Sequence, residues 1–259
     1  MKELWKHISG HKGSTEPARS ISPPQPEQSV LVIGDLHGSS DLLFELDRLI
    51  DGKHRGWPVI FLGDYIDRGE KSRDLLEMLM QASPDASSSI ICLMGNHERM
   101  LLDFLDDPMT GPRRWLRYGG LQTLASFGVP LPRSNSDDAQ AFEELRDRLA
   151  EAMGPEMITW LRQRPLFWRT GNLWFVHAGA DPDLPMEDQD PDVLLWGHRR
   201  FRTQVRRDGQ WVVHGHTIVE TPHAQDGRIA LDTGAYATGR LSAAAISTNE
   251  LKFFQTGTD

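Results

Sequence analysis

Ser29-Val30-Leu31-Val32-Ile33-Gly34-Asp35-Leu36-His37-Gly38 is the stretch that decides the fold of this chain. A short apolar run ends at a glycine, and a carboxylate and an imidazole follow at once. The pattern recurs twice. Residues 59–62 run into Gly63-Asp64-Tyr65-Ile66-Asp67-Arg68-Gly69, and residues 90–94 run into Gly95-Asn96-His97-Glu98. Each apolar run reads as a buried strand. Each is followed by a helical pattern: residues 42–50, capped by Ser40 or Asp41, then 72–80, then a helix starting over 99–105. Strand–loop–helix repeats predict an α/β layer with parallel strands. Polar residues just past such strands gather at their carboxyl ends. Asp35, Asp64 and Asn96 should therefore converge.

Beyond this opening the pattern changes. Residues 113–127, 138–153 and 156–162 read as helices, which predicts a helical insertion over about 111–163. From residue 166 onward the signals are strands. Residues 166–169 and 173–176 flank Thr170-Gly171-Asn172, a hairpin turn. Further strands are expected at 211–213, 228–231, 241–247 and 251–255, and these later strands read as an antiparallel half. Ser22-Pro23-Pro24-Gln25-Pro26 belongs to a lead-in, residues 1–28, expected to be flexible or polyproline-like. Residues 29–259 form the folded domain.

The apolar share is 39%, enough for a sizeable core, and the formal charge is −9. That balance argues against general binding to nucleic acid or to an anionic membrane surface. No apolar run is long enough to span a bilayer. The first residues carry charge with no apolar run behind them, so no secretory leader is expected. The one cysteine, Cys92, excludes an intrachain disulfide and sits in a strand, where it reads as inert core. A reducing, cytoplasmic compartment is the expectation.

Five of the ten histidines, at 37, 97, 177, 214 and 216, fall in short motifs at expected strand ends. Besides the three motifs above these are His177-Ala178-Gly179 and His214-Gly215-His216-Thr217. Carboxylate, amide and imidazole without thiolate form the donor set of manganese, iron or zinc. His214 and His216 alternate on a strand and so face opposite sides. Only one of them can be a ligand.

The five motifs in this order resemble the phosphoprotein phosphatase family of calcineurin-like metallophosphoesterases, bacterial serine/threonine phosphatase type. The resemblance covers about residues 29–250. It implies a four-layer α/β/β/α sandwich with a helical insertion. It also implies two divalent metal ions, manganese first and iron or zinc as alternatives. Asp35, His37 and Asp64 would hold one ion. Asp64 would bridge to the second, which also takes Asn96, His177 and His216; the Gly-His-Thr pattern selects His216 and leaves His214 as a packed histidine. A hydroxide shared by the two ions would attack phosphorus in line. Arg68 and Asn96 would bind phosphate, and His97 backed by Asp67 would donate a proton to the leaving oxygen.

One departure from the pattern stands out. Bacterial members often place an arginine two residues after a tryptophan, whereas Trp196-Gly197-His198-Arg199-Arg200 has histidine at that offset. Arg199, Arg200 or His198 is expected to supply the second phosphate contact. Trp115-Leu116-Arg117-Tyr118-Gly119-Gly120 is similar to the segment that begins the insertion in bacterial members. No tryptophan is assigned a catalytic role. The leading activity is phosphomonoester hydrolysis on phosphoserine or phosphothreonine. Tyr65, Asp67 and Glu98 match that form, and the alternative is a dinucleoside polyphosphate (diadenosine tetraphosphate) hydrolase. A degenerate binding module is disfavoured because every ligand position is filled. The expected partners are a phosphorylated protein or a small phosphoester, with no nucleic acid and no membrane.

Overall fold

The computed structural model describes residues 22–85, 87–109, 112–131 and 139–257. Residues 1–21 of the predicted lead-in lie outside them, as do residues 111 and 138 at the edges of the predicted insertion. The strands are β1 Val30–Ile33, β2 Val59–Phe61, β3 Ile90–Cys92, β4 Phe167–Thr170, β5 Leu173–Val176, β6 Trp211–His214, β7 His223–Gln225, β8 Arg228–Ala230, β9 Ser242–Ile246 and β10 Leu251–Gln255. They form two sheets, ordered β10-β9-β1-β2-β3 and β4-β5-β6-β8-β7.

β1 is buried along its whole length because it is the central strand of its sheet, with β2 parallel on one side and β9 antiparallel on the other. Leu31 lies opposite Val59, and Val59 opposite Ile90. Side chains alternate between faces along a strand. Val30, Val32, Ile60, Leu62 and Leu93 therefore point one way, where they meet Phe175, Val213, Ile229 and Leu231 of the second sheet. Leu31, Ile33 and Phe61 point the other way, onto helices.

Those helices are α1 Ser40–Leu49, α2 Ser72–Ala82 and α3 Asn96–Asp106. The insertion adds α4 Pro112–Trp115, one π-helical turn over Leu116–Gly120, α5 Leu121–Ser126, α6 Ala139–Met153 and α7 Pro155–Arg162. Trp115, Leu124, Leu149 and Trp160 from it join the same core cluster. On the far side, α8 Pro191–Trp196 puts Leu194 against Trp174, Val176 and Val212. A short α9, Ala235–Thr238, follows β8. The order helix, sheet, sheet, helix is the four-layer sandwich the motifs implied.

The later strands do not form an antiparallel half. In the second sheet β5, β6 and β8 run parallel and the edge strands β4 and β7 are antiparallel, while β9 and β10 are antiparallel but join the first sheet. The β4–β5 hairpin was correctly read, but long crossovers separate β5 from β6, and parallel pairing needs such connections. Residues 22–28 are tied to the turn of that hairpin. The Trp211 indole N–H donates to the Ser22 carbonyl at 2.7 Å, the Gln25 N–H to Asn172 Oδ1 at 2.6 Å, and the Glu27 and Gln28 N–H groups to Thr170 Oγ1. Cys92 is buried, and burial pushes its thiol up to about 12, so it stays protonated. No helix among the described residues is long and apolar enough to cross a membrane.

His214 ends β6 facing away from His216. It is buried edge-on against the Phe201 ring at 4.9 Å, and burial lowers its pKa to about 4. An unfolded histidine titrates near ~6.5. Below that pH the unfolded chain binds a proton the folded one refuses, so this residue costs stability as pH falls from 6.5 towards 4. We expect the unfolding free energy of the wild type relative to His214→Phe to fall by up to about 3 kcal/mol between pH 7 and pH 4. Urea titrations at several pH values measure it. Parallel pH profiles for the two proteins would refute it.

Candidate metal and phosphate site

The strand ends that carry the motifs approach one another across the two sheets. A Cβ on Gly34 would lie 2.5 Å from the Leu231 carbonyl oxygen, and a Cβ on Gly215 would overlap Asp35 Oδ1. Only glycine permits these approaches. Six non-glycine residues among those described have positive φ. Five of them, His37, Asp64, Asp67, Arg68 and His216, belong to the motifs. Such conformations cost about 1–3 kcal/mol each and persist where surrounding contacts over-determine them.

Asp64 is the centre of the arrangement. Its Oδ2 lies 3.4 Å from His37 Nε2, and its Oδ1 lies 3.4 Å from His177 Nε2. Two groups of donors therefore share this one carboxylate: His37, Asp64 and His97, and Asp64, His177 and His216. Asn96 closes the second group, with Oδ1 2.7 Å from His177 Nε2 and 3.1 Å from His216 Nδ1. Asp35 belongs to neither group. It is buried beside them, and its carboxylate accepts the His216 backbone N–H at 3.0 Å.

The ring orientations come from the backbone. His37 Nδ1 faces the Ile66 carbonyl at 2.8 Å, and His177 Nδ1 faces the Leu62 carbonyl at 2.9 Å. An Nδ1–H donated there leaves the Nε2 lone pair of His37 towards Asp64 and that of His177 towards Asn96 and Asp64. Burial lowers His37 to about 3, His216 to about 4 and His177 below its ordinary value, so all three are neutral donors. Burial works against the Asp64 carboxylate, but His177, His97 and His37 outweigh it and hold its pKa below the usual carboxylate range. Burial, with Asp232 and Asp64 close by, drives Asp35 well above that range. Burial also raises Asp232 to about 6. Buried carboxylates that repel one another, set among neutral imidazoles, fit divalent cations in both chemistry and charge.

His97 sits at the first turn of α3. Its Nδ1 meets Asp67 Oδ2 at 2.6 Å, and its Nε2 lies 3.2 Å from an Arg68 guanidinium nitrogen. Burial lowers the His97 pKa, but Asp64 and Asp67 more than offset it, and the net direction is upward. Arg68 also lies over the Tyr236 ring at 4.7 Å, and Tyr236 stands edge-on to His37. The other expected phosphate contacts lie in the segment after α8. Arg200 pairs with Asp181 and Asp183, His198 Nε2 is 3.7 Å from Asp181, and Arg199 is exposed.

Three contributors were not assigned from the sequence. Glu98 is fully buried and accepts the backbone N–H groups of Asp64, Tyr65, Ile66 and Gly95. Its place in the Gly-Asn-His-Glu motif was the available signal. Asp232 lies just past β8, in Leu231-Asp232-Thr233-Gly234, where a carboxylate directly after an apolar strand end, with a glycine two residues on, was the available signal. Trp115 donates its indole N–H to both oxygens of Asp67, at 3.1 and 3.0 Å. Nothing local in the sequence distinguishes it from a core tryptophan.

The model of the calcineurin-like phosphoesterase family matches residues 29–220. The chain belongs to the calcineurin-like phosphoesterase family. It is a metallophosphoesterase, and hence a hydrolase. It is 24% identical over 225 residues to serine/threonine-protein phosphatase 2 of Salmonella typhimurium, across 82% of this chain and 90% of that protein. It is 26% identical over 235 residues to the asymmetrical bis(5'-nucleosyl)-tetraphosphatase PrpE of Bacillus subtilis, across 82% and 88%. Among solved structures, one described as a putative diadenosine tetraphosphatase superposes with a TM-score of 0.61 at 20% identity, over 92% of this chain and 98% of that one.

Glu98 holds the loops of this phosphoesterase site through four N–H donors. In Glu98→Gln one acceptor oxygen becomes an NH2 and leaves about two of them unsatisfied. At ~1–3 kcal/mol per buried unsatisfied donor, the variant should lose about 2–6 kcal/mol of stability. Urea denaturation of the chelator-treated protein reads this directly. An unchanged midpoint would show that the clamp is dispensable.

Proposed function

We propose that this phosphoesterase is a phosphomonoester hydrolase acting on phosphoserine or phosphothreonine in proteins. The observation that supports it best is the line Arg68–His97–Asp67. An arginine fork and a carboxylate-backed imidazole stand side by side next to the donor groups that share Asp64. In this reading Asp35, His37 and Asp64 hold one cation, and Asp64, Asn96, His177 and His216 hold the other, with manganese favoured by the donor set. The cations would neutralise phosphate charge and supply a nucleophilic water at neutral pH.

The chain's own residues do the rest. Arg68 grips two phosphate oxygens, a task suited to a planar guanidinium. In the present geometry that guanidinium faces His97 Nε2, and arginine can only donate, so His97 is neutral there with its proton on Nδ1. When a phosphate engages Arg68, Nε2 takes up a proton from solvent, which the Asp64 and Asp67 carboxylates beside the ring favour. His97 then passes it to the serine or threonine oxygen as the phosphorus–oxygen bond breaks, and Asp67 stabilises the imidazolium before transfer. Arg200 is committed to Asp181 and Asp183. Arg199, exposed beside it, is the arginine we assign to the second phosphate contact.

A second reading is dinucleoside polyphosphate hydrolysis, favoured by relatives named bis(5'-nucleosyl)-tetraphosphatase at 24% and 26% identity, against 24% for the phosphatase relative, each over 82% of this chain. Manganese-loaded protein assayed side by side on a phosphoserine peptide and on diadenosine tetraphosphate decides between them. We expect the peptide to have the higher kcat/KM, and the reverse order would transfer the assignment. In the same assay, His97→Asn should slow the alkyl phosphate by ~10²–10⁴-fold and an activated aryl phosphate by much less. Equal losses would reduce His97 to a brace.

Asp64→Asn should abolish turnover and lower metal content together, because one carboxylate serves both donor groups. Elemental analysis after gel filtration gives the stoichiometry. Two ions per chain with near-normal turnover would overturn the shared-ligand assignment.

A further inference from the structure

Asp67 is enclosed by more donors than the His97 contact needs. It is fully buried, and its Oδ2 faces His97 Nδ1. Thr123 donates its hydroxyl to Oδ1 at 2.6 Å, and the Trp115 indole N–H is shared by both oxygens. The Asp67 backbone N–H donates to Thr123 Oγ1 at 2.9 Å and to Ser72 Oγ at 3.1 Å. The next N–H, of Arg68, donates to the Gly119 carbonyl at 3.2 Å. Trp115 and Thr123 are themselves fully buried, and the Trp115 ring stacks on Phe104 at 5.1 Å.

Asp67 and Arg68 both lie in the left-handed region, at φ of 69° and 67°. Neither is glycine, so the dipeptide is strained and needs outside contacts to hold it. Apart from Ser72, the acceptors of its two backbone N–H groups and the donors to Asp67 on the side away from His97 come from residues 115–123 of the helical insertion. The same contacts fill the lone pairs of Asp67 that do not point at His97. With a hydroxyl and an indole N–H fixed on the far side, the carboxylate cannot rotate without losing both. Its remaining acceptor direction selects the His97 tautomer with the proton on Nδ1 and leaves Nε2 facing the phosphate position.

We propose that Trp115 and Thr123 are positioning residues for the leaving-group proton donor: the insertion locks Asp67, and Asp67 locks the orientation of His97. The inference rests on the proton-transfer role given to His97 above. It makes the insertion part of the catalytic apparatus and not merely a wall of the substrate mouth. The hydroxyl and the indole N–H act as one unit, since both address Oδ1 of the same carboxylate.

The test uses the full manganese-loaded chain and three variants. Trp115→Phe keeps a ring against Phe104 but has no N–H. Thr123→Val is isosteric without the hydroxyl, and Thr123→Ser restores it. Each is assayed on aryl phosphates of graded leaving-group acidity and on an alkyl phosphate. Trp115→Phe and Thr123→Val should each lose at least about tenfold more kcat on the alkyl phosphate than on the most activated aryl phosphate, against the ~10²–10⁴ available to general acid catalysis. Thr123→Ser should recover most of that loss, and KM should move little. In proton–nitrogen spectra of metal-free protein, the indole resonance missing from Trp115→Phe should exchange slowly with solvent in the wild type and shift in Thr123→Val. Losses equal across all leaving groups, or failure of Thr123→Ser to recover activity, would overturn the inference. If His97→Asn shows the leaving-group dependence and these variants do not, only this inference fails. If His97→Asn shows none, the proton-donor reading fails and takes this inference with it.

Discussion

The buried Glu98 carboxylate is the constraint on which the site depends. It projects from the first turn of α3 and accepts four backbone N–H groups from the loops that follow β2 and β3. Those loops leave their strands with N–H groups that no neighbouring strand can take. A buried donor without an acceptor is costly. One side chain answers four of them, and the Asp64-to-Ile66 backbone is thereby held against the Asn96-to-Glu98 turn. Burial and the Asp64 carboxylate push Glu98 up to about 8 while those N–H groups pull it down, so its charge is set by a balance of large opposing effects.

From that clamp the electrostatics of the site follow. The α3 N-terminus presents the His97 backbone N–H to Asp64 Oδ1 at 3.0 Å, so the helix end stabilises the carboxylate that both donor groups share. Two imidazole nitrogens, of His37 and His177, flank its two oxygens at 3.4 Å, too far for hydrogen bonds and close enough for a cation to sit between. The strain recorded in the positive φ values is confined almost wholly to this place. The two sheets, packed through Val32, Leu62, Phe175 and Val213, provide the rigid frame that sustains it.

Much of the fold could be read from the chain. β1, β2 and β3 appear as apolar runs ended by glycine because they are buried on both faces and must turn sharply at the site. β7 was missed because His223, Ala224 and Gln225 are all exposed and carry no apolar period. The signal for it lay in Asp226-Gly227, whose φ values of 51° and 74° are those of a tight hairpin turn. The parallel run β5-β6-β8 was also hidden, since local pattern reveals a hairpin but not which distant strands become neighbours. The proline-containing stretch 22–26 reads as flexible in isolation. In the structure, residues 22–28 find partners in Asn172, Thr170 and Trp211, nearly 150 or more residues away.

The sequence by itself determined the family, the donor types and the strand ends where they cluster, because glycine-bounded motifs carry their own backbone requirements in a few adjacent residues. The Gly-His-Thr pattern of the family it resembles also separated His216 from His214. Only the tertiary structure decided which groups touch. Asp35 faces the His216 backbone, Arg200 is committed to Asp181 and Asp183, and Trp115 serves Asp67 from 48 positions away. Each of these depends on the packing of segments remote in sequence. Hydrogen-bond geometry at about 3 Å is set by that packing and leaves no trace in the spacing of residues along the chain.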